Sequence, residues 1–315
     1  MKVETPQILW HSEKKNLSAA LLSIDHHATT NMMATAGNAS AIHLWSDQTV
    51  FVCSLNRHEG PVNRLAFCGN YLASAGDTGH VIIFKAENWD AHLRESDVRF
   101  YSAGRAGEAV TDLCWSGDTQ RLVVGTIDHC VVVVERDAAD DSFRIVFRNS
   151  SWHSHFVQGV SFDPLNMYMA TASSDRTVRI MQTKTSKKQF SCSKTSKVKT
   201  KFVDESSLKS FCRRLAWTPD GGYLIVPAAS HEDSYATLLY ARHRYDEPAK
   251  ILGGLETVCC WVLFWHGFIL TSFLPQLSAL YLCAAQSCLF YRQQRHEGKQ
   301  RRTSLSMRLR CFDVG

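Results

Sequence analysis

The residues of this 315-residue chain best suited to chemistry are histidines placed ahead of aspartates: His153 and His155 before Asp175, and His58 before Asp77. Such pairs could supply a base with its orienting carboxylate, and two histidines in one loop could hold a metal. Neither chemistry has its other parts. The sequence carries no Gly-x-Ser-x-Gly, P-loop, Gly-x-Gly-x-x-Gly or His-Glu-x-x-His segment, and no Cys or acid cluster joins the histidines. We therefore expect no catalytic residue, no cofactor and no metal. The pairs also recur once per repeat, as packing requires and a single active site does not.

The elements that would position them are short strands. His153–Thr183 alternates over Val157–Phe162, turns at Asp163-Pro164-Leu165-Asn166, runs through Met167–Ala172, turns at Ser174-Asp175-Arg176 and alternates again over Thr177–Met181. Related meanders occupy Leu21–Trp45, His58–Ala86, Gly107–Asp137 and Phe211–Arg242, with middle strands starting at Met33, Leu72, Leu122, Met169 and Leu224, 39 to 55 residues apart. That period, with His ahead of the unit, Asp in the turn and Trp ending the third strand, is the WD40 signature, so the fold class is an all-β WD40 β-propeller with about five recognisable blades. The structural WD positions are Trp45, His58, Ser74, Asp77, His155 (or His153) and Asp175. The set is eroded in every copy: Asn38 stands where the Asp before Trp45 belongs, and the units of Asp77 and Asp175 end at Phe84 and Met181.

Charge narrows the partners. Of the net +5, residues 184–201 carry +7 and residues 256–315 carry +4, which leaves the rest near −6. A propeller body of that sign is a poor direct binder of DNA and a reasonable surface for a basic protein. The lysine-rich run (Lys184, Lys187, Lys188, Lys194, Lys197, Lys199, Lys201) reads as a solvated inter-blade loop or as a nuclear-import signal. Asn88–Ala106 reads as a polar insertion between blades. The eleven cysteines show no C-x-x-C pair, and several sit inside strand patterns, consistent with a reducing compartment. Nothing at the start resembles a signal peptide; Met1–Trp10 reads as a strand that could close the ring. Arg213 and Arg214 stand directly before the strand Leu215–Trp217. They serve either a partner or an ion pair with Asp204 or Glu205.

Here the sequence resembles a known family, the WD-repeat middle subunit of chromatin assembly factor one, with the HIR corepressors as a related branch. The similarity rests on Met1, Lys2, Val3, Trp10 and His11, on Glu205, Ser207, Lys209, Ser210, Phe211, Arg213, Arg214 and Leu215, on Thr218-Pro219-Asp220-Gly221, and on Phe156-Val157-Gln158-Gly159-Val160. The resemblance implies a seven-bladed propeller and a nuclear, non-enzymatic scaffold of a histone chaperone complex. Such a scaffold joins the large subunit of the factor and helps to deposit histones three and four during replication. It also implies a contact with the chaperone that hands those histones over, through a region that would lie downstream of the propeller. Lys209, Phe211, Arg213 and Arg214 are the partner-contact candidates. The rival readings are an HIR-type corepressor and a general WD40 adaptor, such as a substrate receptor of a ubiquitin ligase.

The resemblance covers about residues 1–255, which we take as the propeller repeats. Residues 256–315 depart from it as an atypical tail, first apolar and then basic. From Val258 to Tyr291 there is no Asp, Glu, Lys or Arg. Pro275 and the interrupting Ser and Gln argue against a membrane span. The abrupt loss of repeat pattern is what translation out of frame or through an intron would produce.

Overall fold

In a computed structural model, residues 20–46, 50–186, 189–199, 202, 211–232, 234–255, 262–265 and 268–271 are described. They form five four-stranded antiparallel sheets, each built from strands consecutive in sequence. Blade 1 comprises β1 (Leu21–His26), β2 (Met33–Gly37), β3 (Ile42–Trp45) and β4 (Phe51–Leu55). Blade 2 comprises β5 (Val62–Cys68), β6 (Tyr71–Gly76), β7 (His80–Lys85) and β8 (Arg99–Arg105), and blade 3 β9 (Val110–Trp115), β10 (Arg121–Thr126), β11 (Val131–Arg136) and β12 (Phe143–Asn149). Blade 4 holds β13 (Val157–Phe162), β14 (Tyr168–Ser173), β15 (Thr177–Ser186) and β16 (Gln189–Lys199). Blade 5 holds β17 (Ala216–Trp217), β18 (Tyr223–His231), β19 (Ser234–Ala241) and β20 (Lys250–Leu255).

The core lies between blades rather than within one. On β10, Leu122 and Val124 pack toward blade 2, and Val123 between them packs toward blade 4. On β11, Val132 and Val134 take the first side, Val131 and Val133 the second. A sheet buried on both faces has no polar side to show, which is why these middle strands read as continuous apolar runs. The expected WD40 propeller architecture is therefore present, with five four-stranded blades among the described residues.

Three expectations need correction. The repeat unit has four strands rather than three. Asn88–Ala106 is not an insertion between blades: after a short 3-10 turn at Glu95–Asp97 it supplies β8, the outer strand of blade 2. The chain's one Trp-Asp pair, Trp89-Asp90, also lies here, with the Trp89 ring buried against Phe67 at 5.1 Å. The lysine-rich run is not a loop either, since its described part forms the end of β15 and all of β16.

The Met1–Trp10 strand expected to close the ring lies outside the described residues. In the apolar tail, β21 (Val262–Trp265) and β22 (Phe268–Thr271) pair as an antiparallel hairpin. Among the described residues no helix is long and apolar enough to cross a membrane.

Candidate functional site

The His and Asp residues that could have done chemistry serve the blade ends. His153 Nδ1 lies 3.0 Å from Asp175 Oδ2, and its Nε2 lies 2.8 Å from Thr171 Oγ1. With Nδ1–H donating to the carboxylate, Nε2 accepts from the Thr171 hydroxyl. Thr177 Oγ1 donates to the other Asp175 oxygen at 2.5 Å, and the Ser154 amide donates to Oδ2 at 3.1 Å. Burial works against the Asp175 charge, but these donors prevail and hold its carboxyl well below the usual carboxylate range. The ring in this position is His153; His155, the expected one, is exposed.

In blade 2, His58 Nε2–H donates to Ser74 Oγ at 2.7 Å, and Ser74 passes the bond on to the Ile82 carbonyl at 3.2 Å. Asp77 does not join them. It is exposed and accepts from Asn63 Nδ2 at 2.7 Å. Burial, and to a lesser degree the nearby His80, push the His58 ring down to about 4. In blade 1, Trp45 Nε1–H donates to Thr35 Oγ1 at 2.7 Å, as its WD position requires. Among the described residues no group of three His, Cys, Asp or Glu side chains could hold a metal.

The arginine pair divides. Arg213 is 2% exposed, and its Nε and Nη1 donate to Gln158 Oε1 at 2.8 Å and to the Ala228 carbonyl at 2.9 Å. Its guanidinium lies 4.6 Å from the centre of the Phe202 ring. A side chain so enclosed cannot reach a partner, so the expected contact role fails for Arg213. Close packing fixes the segment: a Cβ on Gly159 of β13 would lie 1.9 Å from the Arg213 carbonyl oxygen. The expected pairing with Asp204 or Glu205 falls on residues outside the described set, as does Lys209. Phe211 is 42% exposed, tilted against Phe156 at 5.7 Å. Phe156 in turn meets His155 at 4.2 Å and His129 at 6.2 Å, which makes an aromatic patch beside the start of β13.

Arg214 turns instead to the propeller centre. From the segment before blade 5 it reaches past blade 4, placing Nε 3.5 Å from Asp112 of blade 3 and donating Nη2 to the Asn63 carbonyl of blade 2 at 3.3 Å. Arg64 of β5 places its Nε 3.0 Å from the same Asp112 oxygen. These are ion-pair distances without hydrogen-bond alignment, since Asp112 Oδ1 has no aligned donor. The other Asp112 oxygen accepts the Val160 amide at 3.0 Å. Asp25 of β1 accepts the Phe67 amide at 2.6 Å. Two carboxylates and two guanidinia from four blades thus meet where the first strands converge.

Burial raises the Asp25 carboxyl above its ordinary value, although Arg64 and Arg214 oppose that. Burial also lowers the Arg214 guanidinium, with Arg64 as a like charge nearby. For Arg64 burial is outweighed by Asp112 and Asp25, and its pKa rises. The sequence reading missed Asp25, Arg64 and Asp112. Their signal is a charge inside each first strand (LLSIDH, VNRLAFC, VTDLCW).

Inner strands stapled by polar side chains and eroded His–Asp sets at blade ends define a WD-repeat propeller. Its first 295 residues match the model of the CAF1B/HIR1 beta-propeller domain, and the chain belongs to that family. The match continues past residue 255, where the resemblance in the sequence ends. The chain is 32% identical over 303 residues to the chromatin assembly factor 1 subunit FAS2 homolog of Oryza sativa subsp. japonica, covering 84% of this chain and 57% of that protein. To a chromatin assembly factor 1 subunit of Mus musculus it is 29% identical over 306 residues, covering 84% and 52%. To protein hir1 of Schizosaccharomyces pombe it is 26% identical over 292 residues, covering 80% and 29%. The chain thus spans about half the length of the chromatin assembly factor relatives.

Proposed function

We propose that this chain is a non-enzymatic WD-repeat scaffold of a chromatin-assembly complex, acting in the nucleus. It joins a large subunit and takes part in depositing histones three and four. The observation that supports this most is family membership, together with the use of His58, His153 and Asp175 in blade packing rather than in an open site. Contact with a histone-transfer chaperone belongs to the same reading, as does the absence of direct DNA binding by the propeller body. The partner-contact residues are Phe211, with the adjoining Phe156 and His155, and Lys209. Arg214 fixes that segment to the propeller centre.

A tagged full-length chain, captured from cells with identification of co-purifying proteins, tests the assignment. Recovery of a chromatin-assembly large subunit supports it, and loss of that subunit on Phe211→Ala assigns the contact. The HIR-type corepressor is the second reading, supported by the similarity to hir1 over 80% of this chain. Recovery of corepressor subunits in place of the large subunit would favour it.

A further inference from the structure

The outer strand of blade 4 differs from its counterparts in length and in charge. β16 has 11 residues, whereas β4, β8, β12 and β20 have 5, 7, 7 and 6. Among the described residues no strand pairs with its outer side, so a row of backbone N–H and C=O groups stands along the rim. Residues 184–201 carry seven lysines and no acid, on a chain whose remainder apart from the tail is near −6. Register sets Lys197 opposite Arg179 and Lys199 opposite Thr177, while the exposed Lys184 stands opposite Ser191 toward the other end.

A long open edge invites a further strand, and charge decides which strand can come. A second β16 would set lysines against lysines along the whole edge, which cross-strand repulsion disfavours. An extended acidic segment would gain main-chain hydrogen bonds along the edge and opposite-charge neighbours across it. We propose that β16 is a docking edge for an extended acidic peptide segment of a partner, which adds as the fifth strand of blade 4. Duplex DNA offers the charge but no strand to pair. Lysines that merely guard the edge would account for the charge but not for the length of β16.

The test uses the full-length chain and a fluorescein-labelled peptide of alternating Glu and Thr, about ten residues long. Saturable binding by anisotropy is expected, weakened by salt and by at least about tenfold in Lys194→Gln/Lys197→Gln/Lys199→Gln. A peptide methylated on alternate backbone nitrogens should lose binding to the unaltered protein, a result that does not depend on how the variant folds. Equal binding of the methylated peptide would overturn strand addition. So would unchanged binding by the triple variant, no binding by the parent chain, or displacement of the peptide by duplex DNA of similar length bound as tightly.

Discussion

Blades 2 and 4 hold the same kinds of residue at the same end, yet only blade 4 closes them into one network. His153 bridges Asp175 and Thr171, and Thr177 and the Ser154 amide complete the carboxylate's bonds. In blade 2 the Asn63 amide draws Asp77 outward, so His58 keeps Ser74 alone. The consequence is electrostatic. A carboxylate tied to several donors is held ionised far into acid. A buried imidazole with one hydroxyl partner resists taking up a proton. The blade with fewer bonds should therefore be the one that senses mild acid.

The largest expected effect tests the closed network. His153→Ala takes one donor from the Asp175 carboxylate, leaves the buried Thr171 hydroxyl without its ring partner and opens a cavity, and should cost about 3–5 kcal/mol, read as a drop in Tm. His58→Ala leaves one hydroxyl and a cavity, and should cost roughly 1–3 kcal/mol. Equal losses in the two variants would break the comparison.

Acid should act through blade 2. His58 is neutral in the fold down to about 4, while in the unfolded chain it takes a proton near its ordinary 6.5. The unfolded state then binds more protons between these values, so stability is full above pH 6.5 and falls as the pH drops toward about 4. The change is roughly 3 kcal/mol for this group. His27, lowered by burial, adds to the same trend. Denaturant melts across that range should show the slope, and His58→Gln should flatten it. Asp175 contributes in the opposite window: its stabilisation is present above the ordinary carboxylate value and is lost only at far lower pH.

The adjacent arginines extend the contrast to a single dipeptide. Arg213→Ala unpairs Gln158 and the Ala228 carbonyl inside the blade 4–5 interface, and should lower stability by about 2–4 kcal/mol. Arg214→Ala leaves Asp112 with Arg64, and should cost roughly 1–2 kcal/mol. Thermal melts of both, with large-subunit capture measured per folded molecule, sharpen the division; an equal loss from the two changes would erase it.

The smallest effect on stability is expected from the lysines of β16 and its flanks. Replacing Lys184, Lys187, Lys188, Lys194, Lys197, Lys199 and Lys201 with Ser should reduce nuclear accumulation of a tagged chain while the melt moves little. Unchanged accumulation in cells lacking the large subunit would remove the import role. Residues 256–315, expected from the sequence to lie outside the propeller although the family match runs to residue 295, are tested with the intact chain. Self-association with a broad melt is expected, whereas a monomer with one sharp transition would show that the tail completes the fold.

Much of the fold was legible because both faces of each blade's middle strands are buried, leaving apolar runs such as Leu122–Val124 and Val131–Val134 at a regular period. The outer strands were not. Arg99–Arg105 packs on one side only and is exposed at most of its positions, so its pattern resembles a polar insertion. The lysine-rich β16 was hidden in the same way, because its partner is a neighbouring strand and its composition is that of a loop.

At the blade ends the sequence by itself determined which residue types recur, and hence that His58, one of His153 and His155, and Asp175 would be structural. Only the tertiary structure decided which of His153 and His155 turns inward, and that Asp77 turns out. These choices depend on a loop's path, which spacing does not encode. The charged centre shows the same limit. Asp25, Arg64, Asp112 and Arg214 lie far apart in the chain, and they become neighbours only because every blade sets its first strand at the centre. Hydrophobic period is a local property of the chain, whereas the pairing of buried charges is settled by how the blades assemble, where each charge must find its opposite or lose its water uncompensated.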